Sequence, residues 1–167
     1  MLPGRIAIVT GADRGIGAAT SYALSRAGAS VVLASHDTHA IETLAVKIAS
    51  SGGHAVAVPT DVTNPLSVRR LIEQTLGAFG RLDAAFNDLP PDAVALAMKY
   101  EIPPMARARS GHIVNLAPAP DVVELPTDSG VRIHTVAIGP NDNADDIANA
   151  VVLLCSDAVP NGLNGRS

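Results

Sequence analysis

Eight consecutive residues carry the clearest chemistry in this chain: Thr10, Gly11, Ala12, Asp13, Arg14, Gly15, Ile16 and Gly17. They follow an apolar run, Ile6, Ala7, Ile8 and Val9, and open a segment of helical spacing that continues to Ala27. A strand, a glycine turn and a helix N-terminus make an anion site. Backbone N–H groups point out of the turn, and the helix dipole favours negative charge there. Gly11 permits the tight turn, Gly15 lets a diphosphate approach the backbone, and Gly17 lets the helix pack against the strand. The expected chemistry is the grip of a dinucleotide's diphosphate. The bland alternative is a plain glycine-rich turn. The strand before it, the helix after it and a second strand–helix unit behind it argue against that alternative.

The elements that must hold this turn follow from the apolar spacing. Residues 5–10 read as a buried parallel strand. Ile16, Ala19, Ala23, Leu24 and Ala27 form an apolar helical stripe, and Gly28 stops it. Residues 31–34 form a second strand, and Ile41, Leu44, Ala45 and Ile48 line the next helix, which ends at Gly52 and Gly53. Residues 54–59 form a third strand. Asn64 and Pro65 start a helix as N-cap and first-turn proline, and Gly80 ends it. Residues 82–87 form a fourth strand. A helix over 92–109 follows, with Val94, Met98 and Met105 inward and Pro103–Pro104 forcing a kink or a split. Residues 113–116 and 131–138 are the fifth and sixth strands, and 145–155 the last helix. Strands alternating with helices predict one doubly wound α/β domain over 1–167, a Rossmann-type parallel sheet of order 3-2-1-4-5-6 abbreviated at its C-terminal part.

Composition narrows the function classes. The chain has 167 residues, 47% hydrophobic, which supports a sizeable core and argues against disorder. Aromatics are 2% with no Trp, so a stacking platform for nucleic acid is not expected. The net charge of −4, with no basic run, argues against nucleic acid and anionic membranes. A single cysteine excludes an internal disulfide and suits a reducing compartment. No apolar stretch reaches the ~20 residues of a membrane span, and the first strand begins too early for a leader. The expected location is the cytoplasm. His and Asp spacings show no metal pattern.

The spacing Gly11-x-x-x-Gly15-x-Gly17 with Thr10 in front resembles the cofactor motif of the short-chain dehydrogenase/reductase family. The resemblance extends along the chain. Asp61 and Val62 stand where the family places an acid and an apolar residue beside the adenine ring. Phe79 through Asn87 resembles the run into the family's Asn-Asn-Ala-Gly motif. Residues 95–116, 130–140 and 145–157 resemble its central helix and fifth strand, its sixth strand with the loop closing over nicotinamide, and a later helix. The resemblance implies Thr10, Gly11, Asp13, Arg14, Gly15, Ile16, Gly17, Ser35, His36, Asp61, Val62 and Asn87 as cofactor-binding residues. It implies hydride transfer between nicotinamide and a carbonyl or alcohol carbon of an unknown small molecule.

The family's catalytic set is another matter. Asp88, Leu89 and Pro90 replace the rest of Asn-Asn-Ala-Gly. Leu116, Ala117 and Pro118 stand where a catalytic Ser is expected. Tyr22 and Tyr100 are the only tyrosines, and neither has Lys four residues on. General acid help of about 10²–10⁴-fold would be lost with them. Asp88, expected near the nicotinamide, is the one candidate replacement acid, against the bland reading of a solvated loop carboxylate.

Cofactor choice turns on the end of the second strand. Ser35 stands where an acid would bond the 2′-hydroxyl of NAD. Asp37 reads first as an N-cap. Arg14 and His36 are placed to pair a 2′-phosphate, so NADP is favoured, with NAD the alternative. The segment 117–130, short and proline-rich, is too poor in helix for a normal crossover. It leaves a sheet face near strands five and six in need of a homo-oligomer or protein partner. Three functions remain open: an NADP(H)-dependent oxidoreductase with a non-standard acid, a non-catalytic cofactor-binding or regulatory partner subunit, and a pocket reused for a lyase or cyclase step.

Overall fold

The computed structural model describes residues 2–116, 128–139 and 141–156. Six strands form one parallel sheet of order β3-β2-β1-β4-β5-β6, as the sequence predicts. They are β1 (Ile6–Thr10), β2 (Ser30–Ser35), β3 (Ala55–Pro59), β4 (Ala84–Asn87), β5 (Gly111–Asn115) and β6 (Val131–Thr135). The helices are α1 (Gly15–Arg26), α2 (Thr38–Ser50), α3 (Pro65–Phe79), α4 (Pro91–Ala108) and α5 (Ala144–Cys155).

Side chains alternate along each strand, so the sheet divides its apolar residues between two cores. Ala7, Val9, Val31, Leu33, Phe86 and Val114 face α1, α2 and α5. Ile6, Ile8, Val32, Ala34, Ala85 and Ile113 face α3 and α4. The register Ala7↔Val31 and Ala7↔Ala84 keeps these sets in phase across the central strands. Both faces of β1 are buried, which is why it reads as a continuous apolar run rather than an alternation. Cys155 is buried at the end of α5, which packs on α1.

Helix ends follow local chemistry. Asp37, Asn64 and Asn143 each accept a backbone N–H at the start of α2, α3 and α5. The N-cap reading of Asp37 therefore holds. Gly80 closes α3 in the left-handed region at φ 76°, where glycine carries no Cβ penalty.

Two expectations need correction. Pro103 and Pro104 do not split α4, which runs unbroken from Pro91 to Ala108. Pro103 and Lys99 are exposed, so water can reach the backbone where the prolines supply no donor. β6 ends at Thr135 rather than at residue 138. Most of the short crossover, residues 117–127, lies outside the described residues, as do the last residues, 157–167. Among those described, α5 packs on β5 from one side, and Ile133 of β6 is partly buried against the α3/α4 core on the other. No helix among the described residues is long and apolar enough to cross a membrane.

One carboxylate ties the entry ends of the central strands together. Asp83 is buried, and its Oδ2 accepts Ile6 N–H at 2.8 Å. Its Oδ1 accepts Arg81 Nη2 at 2.7 Å and lies 3.5 Å from Arg5 Nη1. Asp83→Ala leaves the β1 amide and Arg81 without this acceptor. It is expected to cost about 2–4 kcal/mol, measured by urea denaturation. A loss of under about 0.5 kcal/mol, the scale of an ordinary surface substitution, would show the tie to be incidental.

Candidate functional site

The glycine turn lies at the C-terminal edge of the sheet, between β1 and α1, where the strand order reverses from β1 toward β4. Open α/β sheets bind ligands at such a switch point. Gly11 has φ 65°, and a Cβ there would sit 2.8 Å from the Asp88 carbonyl oxygen. A Cβ on Gly17 would run into the Gly11 carbonyl oxygen. Gly17 thus packs against the turn itself rather than against the strand. A Cβ on Gly15 would meet nothing within 4 Å. The middle glycine therefore looks onto open space.

The helix behind the turn fits an anion. Arg14, the N-cap of α1, has extended backbone (φ −96°, ψ 161°) and makes no side-chain cap bond. No acid occupies the first turn. The leading amides of α1 are thus unopposed by a side-chain carboxylate, and the dipole there favours a phosphate.

Beside the turn lies a cleft of about 680 Å³ lined by Arg14, His36, Asp61, Val62, Leu89 and Asp92, among others. Four of the expected cofactor residues therefore converge on one cavity. Asp61 accepts from the Thr63 hydroxyl at 2.6 Å and from Thr63 N–H at 3.0 Å. Those bonds hold its carboxyl below the usual range. Ser35 is buried at the end of β2, and its hydroxyl accepts Asp37 N–H at 3.1 Å. Asp37 Oδ1 in turn accepts Ala40 N–H at 3.1 Å. The acid nearest the end of β2 is therefore engaged in capping α2.

Thr10 and Asn87 lie beneath this surface rather than on it. Both are buried. The Thr10 hydroxyl lies 3.1 Å from Asn87 Oδ1 and 3.2 Å from the Phe86 carbonyl oxygen, within donating distance of both. Asn87 Nδ2 donates to Glu101 Oε1 at 2.9 Å and to Asn115 Oδ1 at 3.1 Å. Asn115 Nδ2 reaches Met98 Sδ at 3.4 Å. The ends of β1, β4 and β5 are thus joined to α4 by one buried polar network. Ile16 is partly buried against the core, and Asp13 is exposed.

Asp88 sits against the glycine turn, with Oδ1 3.9 Å from Arg14 Nη1. Partial burial pushes its carboxyl above the ordinary range; Arg14 opposes that shift and Asp13 adds to it. Its place is beside Arg14 and against Gly11 of the turn.

Glu101 is the residue that sequence reasoning missed. It is 1% exposed, and burial pushes its pKa up to about 7, with the Asn87 bond working in the opposite direction. The signal was its spacing: Val94, Met98, Glu101 and Met105 share one stripe of α4, so a carboxyl there must be buried. His112 and His134, by contrast, meet on the lateral strands β5 and β6, with rings stacked at 5.7 Å and Nδ1 of the first 3.4 Å from Nε2 of the second. Burial, then His112, pulls His134 down to about 4, and its Nδ1 has no hydrogen-bond partner among the described residues. No group of three metal-ligating side chains occurs among the described residues.

A six-stranded parallel sheet, a glycine turn opening α1 and a cleft at the switch point define a Rossmann-type dinucleotide-binding domain. The short chain dehydrogenase family model matches residues 5–88, and the chain belongs to that family, whose members bind nicotinamide dinucleotides. A short chain dehydrogenase/reductase of Aspergillus oryzae is 44% identical over 103 residues, 60% of this chain and 40% of that protein. A 3-oxoacyl-[acyl-carrier-protein] reductase of Synechocystis is 39% identical over 103 residues, 60% of this chain and 42% of that one. The chain thus spans less than half the length of these two relatives. A metagenomic short-chain oxidoreductase solved in complex with NADP superposes with a TM-score of 0.82 at 26% identity, covering 95% of this chain and 93% of that one.

The buried carboxyl gives a signed pH dependence. Because Glu101 has a pKa of about 7 in the fold against 4.5 for an ordinary glutamate, the native state keeps a proton that the unfolded chain releases. Stability therefore falls as pH rises from about 4.5 to about 7. Glu101→Gln is expected to match the parent at pH ~4 and to exceed it at pH ~8, by on the order of 3 kcal/mol at most. Denaturant melts of both proteins at the two pH values check this, and parallel pH curves would refute it.

Proposed function

We propose that this chain binds NADP(H) at the glycine turn, as a short-chain dehydrogenase/reductase-family domain whose own residues lack the usual proton-handling set. The observation that carries the reading is the first turn of α1. It has no side-chain cap and no acid, it opens through Gly15, and it adjoins a cleft walled by Arg14 and His36. In this reading the backbone around Gly11, Gly15 and Gly17 holds the diphosphate. Val62 and Asp61 flank the adenine, and Arg14 with His36 pairs the 2′-phosphate. Ser35 offers no carboxylate to a 2′-hydroxyl, and Asp37 is occupied as a cap. These two facts favour NADP over NAD.

Bound nicotinamide would supply or accept a hydride. This sequence has no Tyr-x-x-x-Lys pair, and Leu116, Ala117 and Pro118 follow Asn115 without a hydroxyl. Asp88 sits beside Arg14 at the glycine turn, and Glu101 is enclosed. That distribution supports a second reading, a cofactor-binding partner subunit. A homo-oligomer or another protein over the edge near β6 belongs to the same proposal.

Isothermal titration separates these. NADP should bind more tightly than NAD, and Arg14→Gln should weaken NADP about tenfold, as loss of a charge-assisted hydrogen bond does. Absence of heat with either nucleotide, from protein shown folded by circular dichroism, would overturn the proposal. Oxidation of NADPH with a carbonyl panel would favour the enzyme over the partner subunit.

A further inference from the structure

We infer that Asp88 holds down this site's preference for a 2′-phosphate over a 2′-hydroxyl, because its carboxylate competes with the phosphate for Arg14. The inference rests on the reading that a nucleotide occupies the cleft beside the glycine turn. Three charged groups meet there. Arg14 Nη1 lies 3.9 Å from Asp88 Oδ1, and Asp13 is close enough to raise the Asp88 pKa. Asp88 thus pairs with a guanidinium whose side chain is still 57% exposed and lines the cleft.

Asp88 is poorly able to withdraw. Its carbonyl oxygen lies so near Gly11 that a Cβ there would approach to 2.8 Å. The two residues after it, Leu89 and Pro90, line the same cleft as Arg14 and His36. Moving the carboxylate away means moving the wall of the cleft. The side chain of Asp88 is only 18% exposed, so water screens it less than it screens Arg14.

The consequence is a difference between two ligands. A 2′-phosphate must share Arg14 with Asp88 and tolerate its negative charge. A 2′-hydroxyl is neutral and suffers neither effect. Arg14 and His36 therefore favour the phosphate, and Asp88 holds that preference down. The magnitude follows that of a partly exposed ion pair, a few-fold in affinity.

The test uses the adenine end of the cofactor alone. 2′,5′-ADP and 5′-AMP are titrated calorimetrically at low salt into the full chain, unmodified and as Asp88→Asn. The ratio of their affinities should shift toward 2′,5′-ADP by about threefold to fivefold in the variant. The gain should shrink as sodium chloride is raised. Asp88→Ser repeats the measurement should the Asn variant fail to fold. An unchanged ratio in a folded variant overturns the inference and leaves the reading of the cleft standing. A ratio that falls overturns it too, since Asp88 would then assist the phosphate. Failure of both probes to bind the unmodified chain overturns the reading of the cleft and this inference with it.

Discussion

The close approach of backbone to backbone at the glycine turn is the constraint on which the site depends. Gly17 lies against the Gly11 carbonyl with no room for a Cβ, and Gly11 lies against Asp88. These contacts bring the first turn of α1, the end of β1 and the end of β4 into one small region. Any side chain at either glycine would push the helix N-terminus away from the strand ends. The dipole and the leading amides of α1 act only over short range, so where they act follows from that packing.

A second tier lies beneath the first. Thr10, Asn87, Asn115 and Glu101 cross-link β1, β4, β5 and α4 through buried hydrogen bonds. In a low-dielectric interior each polar group must find its partner, so the network fixes strand ends that apolar packing alone would leave free to slide. Glu101 is the costly member. It keeps its place by holding a proton to near neutral pH rather than by finding a cation. The surface tier carries charge instead: Arg14 pairs with Asp88 at the mouth of the turn, and Asp13 adds a second negative charge near Asp88. Binding and charge balance are thus set by different residues at the same spot.

The architecture was legible because its signals are local. Apolar runs marked β1 and β2, Asn64 and Gly80 bounded α3, and alternation of strands with helices fixed the sheet order. The glycine spacing located the cleft, and Arg14, His36, Asp61 and Val62 do line one cavity. What escaped was long-range. Nothing near Asp88 in the sequence announces that it folds back onto Gly11. Thr10 and Asn87 read as cofactor residues from their place in the motif, yet their side chains are engaged below the surface with partners up to 77 residues away. Pro103 and Pro104 misled in the other direction, since propensity counted a penalty that an exposed helix flank can absorb.

Cys155 carries an unplanned use. Its thiol is 4% exposed, and burial raises its pKa to about 12, so in the native state it is neither reachable nor ionised. A thiolate is the species that reacts with alkylating reagents. Labelling can then proceed only when the core around the end of α5 opens, and it is the only cysteine in the chain. The protein therefore contains its own gauge of how often one covering layer of the sheet comes loose.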